Sequence, residues 1–237
     1  MGQLIVQQLS VKVSSGNILN DISAFFSVGL HYIVGLNGSG KSTLLKTFNQ
    51  SIGYQGNILL GDKNIRQFSV KELAQNMAFV PQHLAIHFPI LVSDFVLSGR
   101  FPYLSWLGNY SQKDKELVVS NLERLGILHL QNRKIQTLSG GELQKVYIAR
   151  ALTQESPIIL LDEPAQSLDP LNKAFLYELL VELVAEGKHI ICTTHDLEAV
   201  VQPKAQIWGM RNGKIVLNRK GGEDLKSILF EQVYLEK

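Results

Sequence analysis

The residues Gly35-Leu36-Asn37-Gly38-Ser39-Gly40-Lys41-Ser42 fit the pattern G-x-x-x-x-G-K-[ST] at every constrained position. The apolar run Tyr32-Ile33-Val34 leads in as a strand, and Thr43 to Phe48 leads out as a helix. Glycines let the backbone turn through positive φ with no Cβ in the way. Successive amides and a helix N-terminus then face one cavity and favour an anion. Lys41 adds a charge suited to β- and γ-phosphates, and the Ser42 hydroxyl is placed to ligate Mg²⁺. An ordinary glycine-rich turn is the plain alternative, and the full match between a strand and a helix argues against it. A nucleoside triphosphate is the expected ligand, held by Gly35, Asn37, Gly38, Ser39, Gly40, Lys41, Ser42 and Thr43.

Two further constellations bear chemistry. Ile158-Ile159-Leu160-Leu161 is an apolar strand that ends in Asp162-Glu163. Ligands of parallel sheets gather at the carboxyl ends of strands. Asp162 is therefore expected to hold the metal and Glu163 to act as general base on an attacking water. Standing alone, such a pair is commonly just solvated; a phosphate loop in the same chain favours the chemical reading. Leu138-Ser139-Gly140-Gly141-Glu142 opens an evident helix, with Ser139 and Glu142 spaced as a capping box. Two glycines in a first turn cost about 1 kcal/mol each relative to alanine. Keeping them suggests that a ligand approaches the backbone closely, at a second anion site. One γ-phosphate does not need two such sites from one chain, which hints at a site shared between chains.

The elements that must position these groups read as follows. Leu4–Val13, Ile18–Phe26 and Gly56–Leu60 are strand-like and suggest a small antiparallel layer. Ser69 caps a short helix before the core strand Met77–Val80. Residues 82–154 turn helical, with a cap at Ser111 and an apolar stripe through Leu117, Leu122 and Leu125. Strands return at Ile158–Leu161, Ile190–Thr193 and Ala205–Trp208. Pro170–Glu186 is a helix expected to bury Leu171, Phe175, Leu179, Leu180, Leu183 and Val184. Arg211-Asn212-Gly213-Lys214 turns a final hairpin, and a short helical stretch follows. The fold class expected is α/β: a phosphate-loop NTPase core with a mainly parallel sheet, a small antiparallel β layer and an inserted helical subdomain. One domain is expected over 1–237, with 1–81 and 155–237 as nucleotide-binding core and 82–154 as the helical part.

Composition narrows the class. Charged residues make up 19% of the chain and the net charge is +2, with Lys and Arg scattered, so no nucleic-acid partner is expected. A single cysteine, Cys192, excludes an internal disulfide and suits a reducing compartment. No signal peptide is visible, and no apolar run approaches the ~20 residues that span a bilayer.

Taken in order, these motifs resemble the ATPase subunit of ATP-binding cassette (ABC) transporters, over essentially the whole chain. The resemblance implies roles for further residues. Gln82, after Phe79-Val80-Pro81, stands where the family has the glutamine that reaches the metal, beside Ser42 and Asp162. Asp169, in Ser167-Leu168-Asp169, occupies the loop that crosses the dimer interface. His195, in Thr193-Thr194-His195-Asp196, stands where a histidine contacts the γ-phosphate. A head-to-tail homodimer is implied, each ATP lying between the phosphate loop of one copy and Ser139, Gly140, Gly141 and Glu142 of the other. The implied partners are two membrane permease subunits and an extracytoplasmic solute-binding protein. The implied location is the cytoplasmic face of the cell membrane, and the implied cofactors are ATP and Mg²⁺.

Phe88-Pro89 and the run Val92 to Tyr103 resemble the metal-chelate importers of ferric siderophores, haem, cobalamin and molybdate. Zinc and manganese importers look similar here but typically carry Gly-Gly-Gln where this chain has Gly140-Gly141-Glu142. Exporters and non-transport ABC ATPases are the other readings; the latter usually carry a coiled-coil insertion or a second cassette. Arg100 and Tyr103 are expected to face the permease. The cluster Phe101, Tyr103, Trp106, Leu107 and Tyr110 could dock it too, or could pack internally. The stretch Val11 to Gly16 lacks the aromatic that family members place against adenine, so weak binding with little choice between ATP and GTP is expected. His83, His87, His31, His129 and His189 stand without companions at metal-ligand spacing, and Trp208 reads as core.

Overall fold

The computed structural model describes residues 3–14, 16–82, 88–105, 108–196 and 204–235. His83, His87, Trp106 and Leu107 lie outside them. The strands β1 (Leu4–Val13) and β2 (Gly16–Phe26) form a long hairpin, and β3 (Leu30–Val34) leads to helix α1 (Lys41–Phe48). β4 (Gln55–Leu60) and the short β5 (Lys63–Asn64) return to β1, giving an antiparallel sheet of order β2-β1-β4-β5. Next come α2 (Val70–Asn76), β6 (Met77–Val80), α3 (Val92–Leu97), α4 (Gln112–Arg124) and α5 (Gly140–Thr153). The chain then alternates through β7 (Ile158–Asp162), α6 (Pro170–Ala185), β8 (His189–Thr194), the hairpin β9 (Ala205–Arg211) and β10 (Lys214–Lys220), and α7 (Leu225–Leu229).

The second sheet has the order β10-β9-β3-β8-β7-β6 and is parallel except for β10 on its edge. Its central strands are apolar at successive positions because both faces are covered. Tyr32, Val34, Ile159, Leu161, Ile190 and Cys192 face the helices α3 to α6. Ile33, Ile158, Leu160 and Ile191 face α1 and the antiparallel sheet. This sandwich fixes the carboxyl ends of β3, β7 and β8 side by side.

Two expectations need correcting. Leu171 is 84% exposed, and α6 buries Leu176 and Tyr177 with Leu179, Leu180 and Leu183 instead. The helix is apolar on nearly every side, so periodicity cannot pick out its buried stripe. Arg100 is not available to a partner. Its guanidinium is buried, 2.7 Å from both Asp114 and Glu155, donates to the Thr153 carbonyl at 3.1 Å, and stacks over Tyr103. It ties the start of α4 to the end of α5.

His31 and His189, remote in sequence, adjoin across β3 and β8 with ring centroids 5.2 Å apart. Trp208 Nε1 donates to His31 Nδ1 at 3.1 Å, and His31 Nε2 donates to the Ser27 carbonyl at 2.6 Å, so His31 is held neutral. Both His189 ring nitrogens are buried without a hydrogen-bond partner among the described residues. Burial lowers the His31 pKa to about 4, partly opposed by Ser27, and that of His189 to about 3, helped by His31. The unfolded chain takes up these protons below about pH 6.5 while the folded chain refuses them, so stability falls with pH from there down to the folded values. Each histidine is worth on the order of 3 kcal/mol by pH 4. His189→Leu is therefore expected to flatten the acid side of a stability–pH curve by up to about 1.4 kcal/mol per pH unit. Denaturant titrations between pH 7 and 4 check this; a slope equal to wild type would refute it.

Candidate active site

Helix α1 begins at Gly40, whose φ of 103° lies in the left-handed region, and no side chain caps it. The other described helices of eight residues or more, α4, α5 and α6, are capped by Ser111, Ser139 and Asp169. The first amides of α1 are thus left for an external acceptor, as an anion site requires. A Cβ on Gly40 would stand 2.7 Å from Leu19 Cδ2, and one on Gly35 2.3 Å from the Met210 carbonyl oxygen. The buried Ser39 hydroxyl in the same loop has no hydrogen-bond partner among the described residues. An orphaned hydroxyl beside uncapped amides fits a phosphate.

Lys41 is only 4% exposed and folds back on its own loop. Its ammonium donates to the Gly35 carbonyl at 2.9 Å and to that of Leu36 at 3.3 Å, and stands 3.3 Å from Glu163 Oε1. Ser42 Oγ donates to Asp162 Oδ1 at 2.8 Å, and the Thr193 hydroxyl donates to the same oxygen at 2.7 Å. A hydroxyl and a carboxylate together are the hard oxygen donors that Mg²⁺ selects, with phosphate oxygens and water to complete its shell. Asp162 faces Thr193 in the β7–β8 register.

Glu163 follows at the strand end with φ 47°, a conformation that costs a non-glycine residue energy. Thr193 holds it there, accepting the Glu163 amide on its hydroxyl at 2.9 Å and its carbonyl at 3.2 Å. The Glu163 carboxylate is buried between Lys41 and His195, whose Nδ1 lies 3.0 Å away. The three residues read separately from the sequence as phosphate lysine, base and γ-phosphate contact thus meet in one cluster. Sequence reasoning gave Thr193 no role; its signal, a hydroxyl at a strand end opposite an acid, needs the register to be seen. Gln82 donates to Gln166 Oε1 at 2.6 Å, on the loop after Glu163, rather than to Ser42 or Asp162.

The second glycine-bearing helix forms a separate place. Ser139 and Glu142 make the expected reciprocal cap of α5, and Asp169 caps α6 by accepting from the Asn172 amide at 3.0 Å. Those hydrogen bonds hold the half-buried Glu142 and the exposed Asp169 carboxyls below their ordinary range. Ser139, Gly140, Gly141, Glu142, Lys145, His129 and Asp169 line an open cleft of ≈ 450 Å³ that contains no phosphate-loop residue. Among the described residues, a Cβ on Gly140 or Gly141 would meet nothing closer than 3.5 Å. The fold itself therefore does not demand glycine at either position.

Residues 19–166 match the family model for ABC transporter. The chain is 41% identical over 170 residues to the manganese transport system ATP-binding protein MntB of Halalkalibacterium halodurans, covering 71% of this chain. The match spans 66% of that relative, just under two thirds of its length. It is 31% identical over 237 residues to the iron(3+)-hydroxamate import ATP-binding protein FhuC of Bacillus subtilis, covering 99% of this chain and 88% of that protein. In three dimensions it resembles a nucleotide-free ATP-binding cassette from an ABC transporter, with a TM-score of 0.85, 25% identity and 100% of both chains covered.

Proposed function

The chain belongs to the ABC transporter family as one of its ATP-binding ATPases, and from that premise we propose that it is the motor subunit of a metal importer, hydrolysing ATP to drive uptake through a separate permease. The observation that carries this reading is the buried Lys41–Glu163 pair, with His195 on its open side, beside the Ser42–Asp162 pair. The amides from Gly38 to Thr43 and the Lys41 ammonium bind the phosphates. Ser42 and Asp162 would hold Mg²⁺, and Gln82, which here donates to Gln166, would be the further ligand. The ion, when bound, neutralises charge building on the phosphate oxygens. Glu163 takes a proton from water as its oxygen bonds to the γ-phosphorus and the bond to the bridging oxygen breaks, releasing ADP. His195 turns from Glu163 to the γ-phosphate. With no aromatic in the β1–β2 turn, the phosphates carry most of the affinity.

Dimerisation is part of the proposal. The cleft at Ser139, Gly140, Gly141, Glu142 and Asp169 has no phosphate-loop residue in its lining, and glycines that the described fold does not need leave room for a partner's ATP. The exposed Leu171, two residues beyond Asp169, gives that face apolar surface to bury. Residues 82–154 serve as the helical, signature-bearing part of a single cassette. The cargo is a metal ion or its chelate: MntB is named for manganese and FhuC for an iron hydroxamate. A chelate is favoured because the FhuC match runs the length of the chain. The protein acts at the cytoplasmic face of the membrane with two permease subunits and an extracytoplasmic binding protein; no described helix is long and apolar enough to cross a membrane by itself.

The permease contact is the apolar groove of ≈ 720 Å³ between α2 and the 98–103 turn, lined by Val70, Ala74, Phe101, Pro102 and Leu104. Phe101 is 70% exposed. Phe101→Asp is expected to abolish recovery of the chain with membranes while leaving its ATPase rate within about twofold, because a charge cannot be buried in an apolar contact. Arg100→Ala is expected to cost roughly 3 kcal/mol of folding stability, since it removes the buried guanidinium shared by Asp114, Glu155 and the Thr153 carbonyl. Membrane fractionation beside thermal melts separates the two; a Phe101→Asp chain still held at the membrane would refute the placement. The function itself is tested by Mg²⁺-dependent ATPase activity of the purified chain, and by import of a ferric chelate against free manganese with the co-purifying permease. Transport of neither, with ATPase intact, would point to another cargo class.

A further inference from the structure

Asn212 and Gly213 turn the chain from β9 into β10 at positive φ, 51° and 73°, between the paired Arg211 and Lys214. That is the backbone of a two-residue hairpin turn. Such tips usually stand in solvent, yet Gly213 is buried. Its carbonyl accepts from the Asn20 amide at 2.9 Å, and its own amide donates to the Ser39 carbonyl at 3.1 Å. Asn20 Nδ2 donates to the Asn212 carbonyl at 3.4 Å. Gly213 thus bridges β2 to the middle of the phosphate loop. A Cβ there would stand 2.3 Å from the Ile18 carbonyl oxygen and 2.9 Å from Asn20 Nδ2. Any other residue would push the turn off the loop.

The Ser39–Gly40 peptide is planar and trans, so its carbonyl and its N–H point opposite ways. With the carbonyl tied to Gly213, the Gly40 amide faces away from the hairpin. Gly40 is among the amides that the ATPase reading gives to the phosphates. It is also a glycine at φ 103°, so its own backbone resists little if that peptide turns over. A turned peptide would offer the phosphates a carbonyl oxygen, which repels them, in place of a donor. We propose that the Gly213 amide is the lock that keeps this peptide in its phosphate-binding orientation. Gly213 is then a positioning residue of the nucleotide site, acting through Ser39 and Gly40.

The lock rests on the phosphate-binding half of the ATPase reading, and inorganic tripolyphosphate probes that half without a base or a reaction. Gly213→Ala is expected to weaken Mg²⁺–ATP and tripolyphosphate alike, by roughly tenfold or more, the worth of one hydrogen bond to a charged group. Leu217→Ala, a cavity in the same hairpin, should lower the melting temperature with both affinities within about twofold of wild type. A reading on the wild type covers a Gly213→Ala chain that does not fold. Coupling is reciprocal, so saturating tripolyphosphate should slow hydrogen exchange of the Gly213 amide by roughly tenfold or more relative to the amides of the β9–β10 ladder. An unchanged relative exchange rate overturns the lock. So does a folded Gly213→Ala chain that binds within about threefold of wild type, or an equal loss of affinity in Leu217→Ala. A wild type that binds neither probe defeats the lock and the ATPase reading together. One that shows the slowed exchange yet hydrolyses no ATP defeats the ATPase reading and upholds the lock.

Discussion

Glu163→Gln is expected to cut steady-state ATP turnover by roughly 10²–10⁴-fold, the range that a positioned general base supplies, while ATP still binds. The carboxylate is buried beside the Ser42–Asp162 pair, and a strained backbone held by Thr193 keeps it there. Gln keeps the size and the hydrogen-bonding reach but cannot take a proton at neutral pH. The nucleotide-free geometry adds a second expectation. Lys41 must leave Glu163, 3.3 Å away, before it can serve the phosphates. With Gln in place that ion pair no longer holds it back, so ATP affinity should equal or exceed wild type. ATP that is bound and not cleaved should also trap the dimer, visible by size exclusion only when nucleotide is present. Release of phosphate, binding of a fluorescent ATP analogue and elution volume are the measurements. A variant that keeps most of its turnover would remove Glu163 from the role of base.

The parts of this site legible in the sequence are those whose chemistry fixes both residue type and spacing. The phosphate loop needs its glycines, lysine and serine within eight positions, and the acids must close an apolar strand. β3, β7 and β8 were equally legible, because a strand covered on both faces carries a continuous apolar run, as in Tyr32-Ile33-Val34, Ile158 to Leu161 and Ile190-Ile191-Cys192. What escaped was set by tertiary neighbours. Arg100 read as surface because Asp114 and Glu155, its counter-ions, are distant in sequence. His31 and His189 read as isolated because only the β3–β8 pairing makes them neighbours.

Lys41→Ala is expected to weaken ATP binding by roughly 100-fold, because a charge-assisted contact to phosphate is worth on the order of 1.5–3 kcal/mol and no other cation stands in the loop. The structure predicts a separate penalty before any nucleotide arrives. Glu163 is buried; its carboxylate pairs with the Lys41 ammonium, and the half-exposed His195 lies within hydrogen-bond distance of it. Removing one partner of a buried pair typically costs about 3–5 kcal/mol, because the other is left charged and unpaired. For a chain of this size that corresponds to a fall in melting temperature of roughly 6–20 °C. The two losses have different causes and should separate in the double variant. Lys41→Ala with Glu163→Gln removes the stranded charge, so most of the thermal loss should return while ATP binding stays weak. Melting curves and equilibrium binding on the two single variants and the double variant supply the test. If the double variant melts as low as Lys41→Ala alone, the Lys41–Glu163 pair is not what stabilises the resting site. If Lys41→Ala binds ATP within about threefold of wild type, against the ~100-fold loss argued here, the amides of the phosphate loop and not its lysine carry the affinity.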